Sequence, residues 1–222
     1  MKTTQKLNVC ILPTNYRFIR IITQVCDPHR LKNISAERKR KNPSRPGCVI
    51  YSVGSNGNFS FELAIQKLLG KTTCEIHTFD FGDWESYMPK DMNIHYHKWG
   101  LAHEAAEKTV ENGVEIFKTL KESIKDLGHD DLPAIDIFKI DCEGCEFEIQ
   151  ADWVSDDIPL LQQILVEVHH PSTATANKFF DSFKKAGYVS FSKEHNIQVP
   201  GNPVSEFCFL KLEKDFFQEV AE

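Results

Sequence analysis

The chain has 222 residues, enough for one well-buried α/β domain and a short appendage. Its 41% hydrophobic and 26% charged residues fit an ordinary globular protein and exclude a disordered or fibrous one. A net charge of −6 removes general nucleic-acid affinity as the default, and no apolar run is long enough to span a bilayer.

In chain order, the first apolar stretch, Val9 to Ile22, is interrupted by Pro13, Asn15, Arg17 and Arg20 and lacks the small-residue cleavage site of a signal peptide. Seven scattered cysteines, an odd number without a leader, predict buried thiols in a reducing, cytoplasmic setting rather than a disulfide framework. Tyr16, Ile19, Ile22 and Val25 have helical spacing and predict an N-terminal helix packed on the domain. Arg30 to Arg45 is strongly basic, opposed only by Glu37 and closed by Pro43, Pro46 and Gly47. It reads as a solvated linker, with an arm for an anionic substrate or nucleic acid as the alternative. Residues 1–47 are therefore expected to be an extension with a helix and a basic linker, and residues 48–222 the main domain.

From Cys48 onward strands and helices alternate. Strands are predicted at Cys48–Val53, Cys74–Asp80, Asn93–His97, Ile135–Asp141 and Gln163–His169, and helices at Phe59–Leu69, Val114–Leu127 and Ala174–Ala186. Two last strands, Tyr188–Ser192 and Phe207–Leu212, follow each other without a helix between them. The expected fold is α/β: a Rossmann-like, doubly wound sheet, mostly parallel, with an antiparallel strand near the C-terminus.

In such a sheet, ligands sit beyond the carboxyl ends of the strands, so the residues after each strand are the informative ones. The first strand ends in Gly54-Ser55-Asn56-Gly57, a loop that admits close backbone approach to a ligand. It is not a full GxGxxG, and no GK[ST] follows. Asp80 ends the second strand about twenty residues later, the spacing at which a carboxylate accepts ribose hydroxyls. After the fourth strand, Asp141, Glu143 and Glu146 crowd a helix start, a costly clustering that points to ligand contact. Lys139 is expected to reach these acids or the sheet edge. Cys142 and Cys145 form a CxxC, read as coincidence before a redox or zinc pair. His169, beside Glu167 and His170, is the first candidate for a general base. Asp141, Glu143, Glu167 and the two histidines are the alternative, a divalent-cation site. Lys193 to Asn196 opens a further polar loop, whereas nothing beyond position singles out His95 and His97.

The runs Val49 to Glu62, Ile135 to Glu146 (with Lys139-Ile-Asp-Cys-Glu-Gly-Cys-Glu146), Leu165 to His169 and Lys193 to Asn196 together resemble the methyltransferase-like proteins of the FkbM group. That resemblance covers roughly Cys48 to Leu212. It implies a class I domain using S-adenosylmethionine, with Gly54, Ser55, Asn56 and Gly57 around the methionine end, Asp80 on the ribose, Phe81 facing the adenine, and Asp141 and Glu143 at the transfer site. The methyl acceptor is then expected to be a small-molecule hydroxyl, deprotonated by His169 or, second, Asp141. A non-catalytic Rossmann-like binding module and an NAD(P)-dependent oxidoreductase are the competing readings. The acceptor's identity, the metal requirement and the oligomeric state are not set by the sequence.

Overall fold

The computed structural model describes residues 28–111, 113–169, 172–196 and 204–212. The predicted helix over Tyr16 to Val25 lies outside these residues. The first described element is helix α1 (Pro28–Lys41). Then come β1 (Val49–Val53), α2 (Ser60–Leu69), β2 (Glu75–Phe79), β3 (His95–His97), β4 (Gly100–Leu101), β5 (Ala106–Val110) and β6 (Gly113–Lys118). The remainder is α3 (Leu120–Asp126), β7 (Ala134–Ile135), β8 (Ile137–Ile140), α4 (Glu146–Trp153), β9 (Leu160–Leu161), β10 (Gln163–Val168), α5 (Thr173–Lys185), β11 (Tyr188–His195) and β12 (Ser205–Lys211).

The main sheet has seven strands in the order β11-β12-β10-β8-β1-β2-β3. From β3 to β10 neighbours run parallel, and β12 runs antiparallel to both β10 and β11. Helices cover both faces, which is why the central strands read as continuous apolar runs rather than alternating ones. Val49, Tyr51 and Val53 of β1 pack into one core layer with Ile124, Trp153, Phe179 and Phe183, while Cys48 and Ile50 pack into the other with Phe61, Ile65 and Leu69. Among the described residues, no helix is long and apolar enough to cross a membrane.

Three local expectations change. Most of the basic segment is not a linker but α1, held by one turn of contacts: Leu31 and Ser35 are buried, and Ser35 Oγ donates to the Thr73 carbonyl. Arg38 Nη1 donates to Asp136 Oδ2 at 2.8 Å, and that carboxylate also accepts from the Val49 amide. A buried carboxylate needs such partners, and charge counting along the chain does not see them. The predicted helix over Val114–Leu127 is instead a hairpin strand, β6, followed by α3. Thr119 caps α3 in a reciprocal box with Glu122, so the helix starts at 120, and Val114 and Ile116 belong to the alternating strand before it. Finally, Cys48 is bonded to Cys74 and Cys142 to Cys145, and Cys208 is a free buried thiol. The expectation of unpaired thiols fails at the first pair because β1 and β2 align Val49 with Glu75, which sets the preceding cysteines side by side.

The Cys48–Cys74 bond closes a separation of 26 residues, which corresponds to about 3.5 kcal/mol of loop-closure entropy. Replacing both cysteines by alanine is expected to lower the unfolding free energy by about that amount in urea titrations under non-reducing conditions. An unchanged midpoint would show that the bond does not form.

Candidate active site

The carboxyl ends of β1, β2 and β8 open into a cavity of about 620 Å³, lined by Gly54, Asn56, Asp80, Phe81, Asp141 and Glu143 among others. The loop after β1 reaches this position through one close approach. Gly54 has φ +75°, and a Cβ built there would lie 1.8 Å from the Asp141 carbonyl oxygen. Only glycine fits, because both the left-handed backbone and the space demand it. Lys139, buried in β8, donates from Nζ to the Val53 and Gly54 carbonyls at 3.1 and 2.6 Å. The ammonium group thereby ties the end of β1 to its neighbour.

Asp80 sits at the end of β2, as the spacing predicts, and is 7% exposed. Its Oδ2 accepts from the Ser55 and Asn56 amides at 2.8 and 2.7 Å and from Ser55 Oγ at 3.2 Å. Its Oδ1 accepts from the Gly82 amide at 2.9 Å and Trp84 Nε1 at 3.1 Å. These donors fill the capacity of a carboxylate, so Asp80 shapes the glycine loop by itself. Phe81 is 44% exposed and faces Phe117 of the β5–β6 hairpin, which also sends Lys108 and Glu115 to the cavity. The hairpin is not legible as part of the site from sequence: its second strand falls within the predicted helix Val114–Leu127, and its first matches no predicted element.

Beyond β8 the acids divide. Asp141 and Glu143 line the cavity, and Glu143 has φ +55°, a strained backbone of the kind held at functional sites. Asp141 Oδ1 is buried without a hydrogen-bond partner. Glu146 is fully buried and turns the other way: its Oε1 accepts from the His169 amide at 2.7 Å and lies 3.2 Å from His169 Nδ1. His169 Nε2 lies 3.3 Å from Glu143 and 3.6 Å from Glu167. Burial opposes a charge on this imidazole, but the Glu146 hydrogen bond and the charges of Glu146, Glu167 and Glu143 prevail, raising its pKa to about 9. His169 is thus a cation at neutral pH, set behind the cavity rather than lining it.

Glu167 is raised to about 7, first by burial and then by Asp141. Glu206 on β12 is raised well above the ordinary carboxylate range by burial and by the same two acids. Ligand atoms of Asp141, Glu167 and His169 lie within 4.8 Å of one another, a donor set suited to a divalent cation. Glu206 escapes sequence reasoning because it reaches the cluster only through the antiparallel pairing of β12 with β10, opposite Glu167. Asn196, from the further polar loop, donates to Glu167 Oε1 at 3.1 Å. The bonded Cys142 and Cys145 border the cavity, so the CxxC is part of the site wall.

A family model described as a methyltransferase domain matches residues 22–211. The chain belongs to that methyltransferase-domain family, and its sheet, mainly parallel with the antiparallel β12 inserted between β10 and β11, is Rossmann-like. No curated protein matches it in sequence. Among solved structures it is similar to the methyltransferase FkbM from Methylobacillus flagellatus KT, with 12% identity and a TM-score of 0.48 over 85% of this chain and 52% of the other, about half that protein's length. It is also similar to the O-methyltransferase from Bacillus cereus crystallised with SAH, with 10% identity and a TM-score of 0.48 over 90% of this chain and 93% of that one. A third likeness is to the 1,6-didemethyltoxoflavin-N1-methyltransferase from Burkholderia thailandensis, with 10% identity and a TM-score of 0.44 over 94% of each chain.

His169 contributes stability that is complete below its unfolded value near 6.5 and is lost as pH rises through about 9. In metal-free protein, Glu146→Gln is expected to bring the imidazole pKa, followed by NMR, down towards 6.5 and to flatten the fall in stability between those pH values. An imidazole titrating near 6.5 in the unaltered protein would refute the ion-pair assignment.

Proposed function

We propose that the cavity binds S-adenosylmethionine and that the enzyme methylates a hydroxyl of a small molecule seated under the β5–β6 hairpin. One observation carries the reading: Gly54 and Asn56 of the glycine loop, Asp80 and Asp141 line one cavity at the carboxyl edge of the sheet. The cofactor fits the residues present. Gly54 and Asn56 line the cavity where its methionine end would lie, with Ser55 and Gly57 completing the loop behind them, and Phe81 offers an apolar face for its adenine. Asp80 takes the ribose hydroxyls by exchanging the donors of Gly82 or Trp84 for them.

When bound, the cofactor supplies an electrophilic methyl group, and the protein's task is to align the acceptor and receive its proton. Asp141 is the acceptor of that proton: it lines the cavity and has a buried oxygen without a donor. His169, the first candidate from sequence, takes the part of a fixed cation that holds Glu143 and Glu167 around the acceptor side. A divalent cation held by Asp141, Glu167 and His169 is the second reading, favoured by their common reach. The small acceptor is supported by the placement of α1. Its basic residues pack at the start of β2 and β8, through Lys39 to the Thr72 carbonyl and Arg38 to Asp136, at the opposite end of the sheet from the cavity. The chain's two disulfides suit an oxidising setting better than the cytoplasmic one expected from sequence.

Calorimetric titration is expected to give micromolar binding of S-adenosylmethionine and S-adenosylhomocysteine and none of NAD; absence of both sulfur ligands would reject the cofactor. Asp80→Ala is expected to weaken that binding at least about tenfold, since the loop amides lose their common acceptor. Asp141→Asn is expected to retain S-adenosylhomocysteine binding and lose about 100-fold or more in turnover against an accepted hydroxyl substrate, with and without chelator. Chelator-sensitive turnover would move the assignment to the cation reading, and full turnover in Asp141→Asn would remove Asp141 as the proton acceptor.

A further inference from the structure

At the other end of β2, away from the cofactor cavity, Glu75 and His77 meet His129, which follows α3. Ligand atoms of these three residues lie within 4.8 Å of one another. His77 is 5% exposed and its Nε2 is buried with no hydrogen-bond partner. That nitrogen lies 3.6 Å from Glu75 Oε2, and His129 Nε2 lies 3.5 Å from the same oxygen. Both separations are long for hydrogen bonds, and each is an ion pair when its ring is protonated. They match the spacing of two ligands on one tetrahedral ion, because donors each about 2.1 Å from the metal stand about 3.4 Å apart.

The opposite nitrogen of each ring is engaged. His77 Nδ1 lies 2.9 Å from His97 Nε2, and His129 Nδ1 lies 2.8 Å from the Tyr51 hydroxyl. His95 stacks on the His77 ring with centroids 4.8 Å apart. With Nδ1–H donating outward, each imidazole presents a bare Nε2 lone pair inward, the arrangement by which outer partners orient metal-binding histidines. Glu75 is partly exposed and lines a surface cavity of about 320 Å³ with His95, Thr72 and Thr73, which provides an entry path.

We propose that Glu75, His77 and His129 form a zinc site, separate from the methyl-transfer centre, with an outward fourth position left for water. Two imidazoles and one carboxylate suit a borderline ion such as Zn²⁺ rather than Mg²⁺ or Ca²⁺. The ion would fasten the start of β2 to the turn after α3, with Tyr51 and His97 as its outer support.

The full chain, stripped with chelator, is titrated with ZnCl₂ by calorimetry and by melting temperature, and with CoCl₂ for its absorption spectrum. One Zn²⁺ per chain at this site, a raised melting temperature and a tetrahedral Co²⁺ spectrum are expected. Glu75→Gln, at a partly exposed position that leaves the packing intact, and His129→Gln are expected to weaken that binding about 100-fold or more, and Tyr51→Phe about tenfold. Asp141→Asn is expected to leave it unchanged, which separates this site from the acid cluster. No zinc binding by the unaltered chain, binding unaffected by Glu75→Gln, or binding lost instead in Asp141→Asn would overturn the proposal.

Discussion

The approach of the Gly54 backbone to the Asp141 carbonyl brings the ends of β1 and β8 closer than any side chain would allow. That approach determines where the glycine loop turns, and the Lys139 ammonium, donating to Val53 and Gly54, holds it there. Asp80 then gathers the Ser55 and Asn56 amides from one side and Gly82 and Trp84 from the other. The cavity wall is therefore a set of backbone groups whose directions are fixed by these hydrogen bonds. Preorganised polar groups of this kind need little rearrangement when charge shifts in a reaction.

Charge at the acceptor side follows a different logic. Asp141, Glu167 and Glu206 come from three strands and face one another with little solvent. Like charges in that position repel, and the repulsion is relieved by sharing protons, by a cation, or by the imidazolium of His169. Glu146 decides which nitrogen of that ring faces inward and keeps it charged. A histidine that looked like a base in the sequence becomes part of the electrostatic frame once its neighbours are known. In the proposed function the base role passes to Asp141, which lines the cavity.

The two ends of the sheet do separate work. The carboxyl edge carries the cavity, the acids and the hairpin roof. The amino edge carries the docked basic helix, the Cys48–Cys74 bond and the histidine cluster, all of which tie the start of the strands to surrounding turns.

Sequence alone determined the alternation of strands and helices, the antiparallel ending, the glycine loop and the acids after β8. Each depends on periodicity or on residues adjacent in the chain, and these are local properties. It also carried the Thr119–Glu122 capping box that separates β6 from α3, though Ile116, Phe117, Leu120 and Ile124 suit a helical stripe well enough to obscure it. Tertiary structure alone decided that Glu206 joins Asp141 and Glu167, that Arg38 answers Asp136, that Cys48 meets Cys74, and that His77 and His129 converge on Glu75. Those pairings span long stretches of chain and follow from strand order and register, and no spacing rule reads them from one strand at a time.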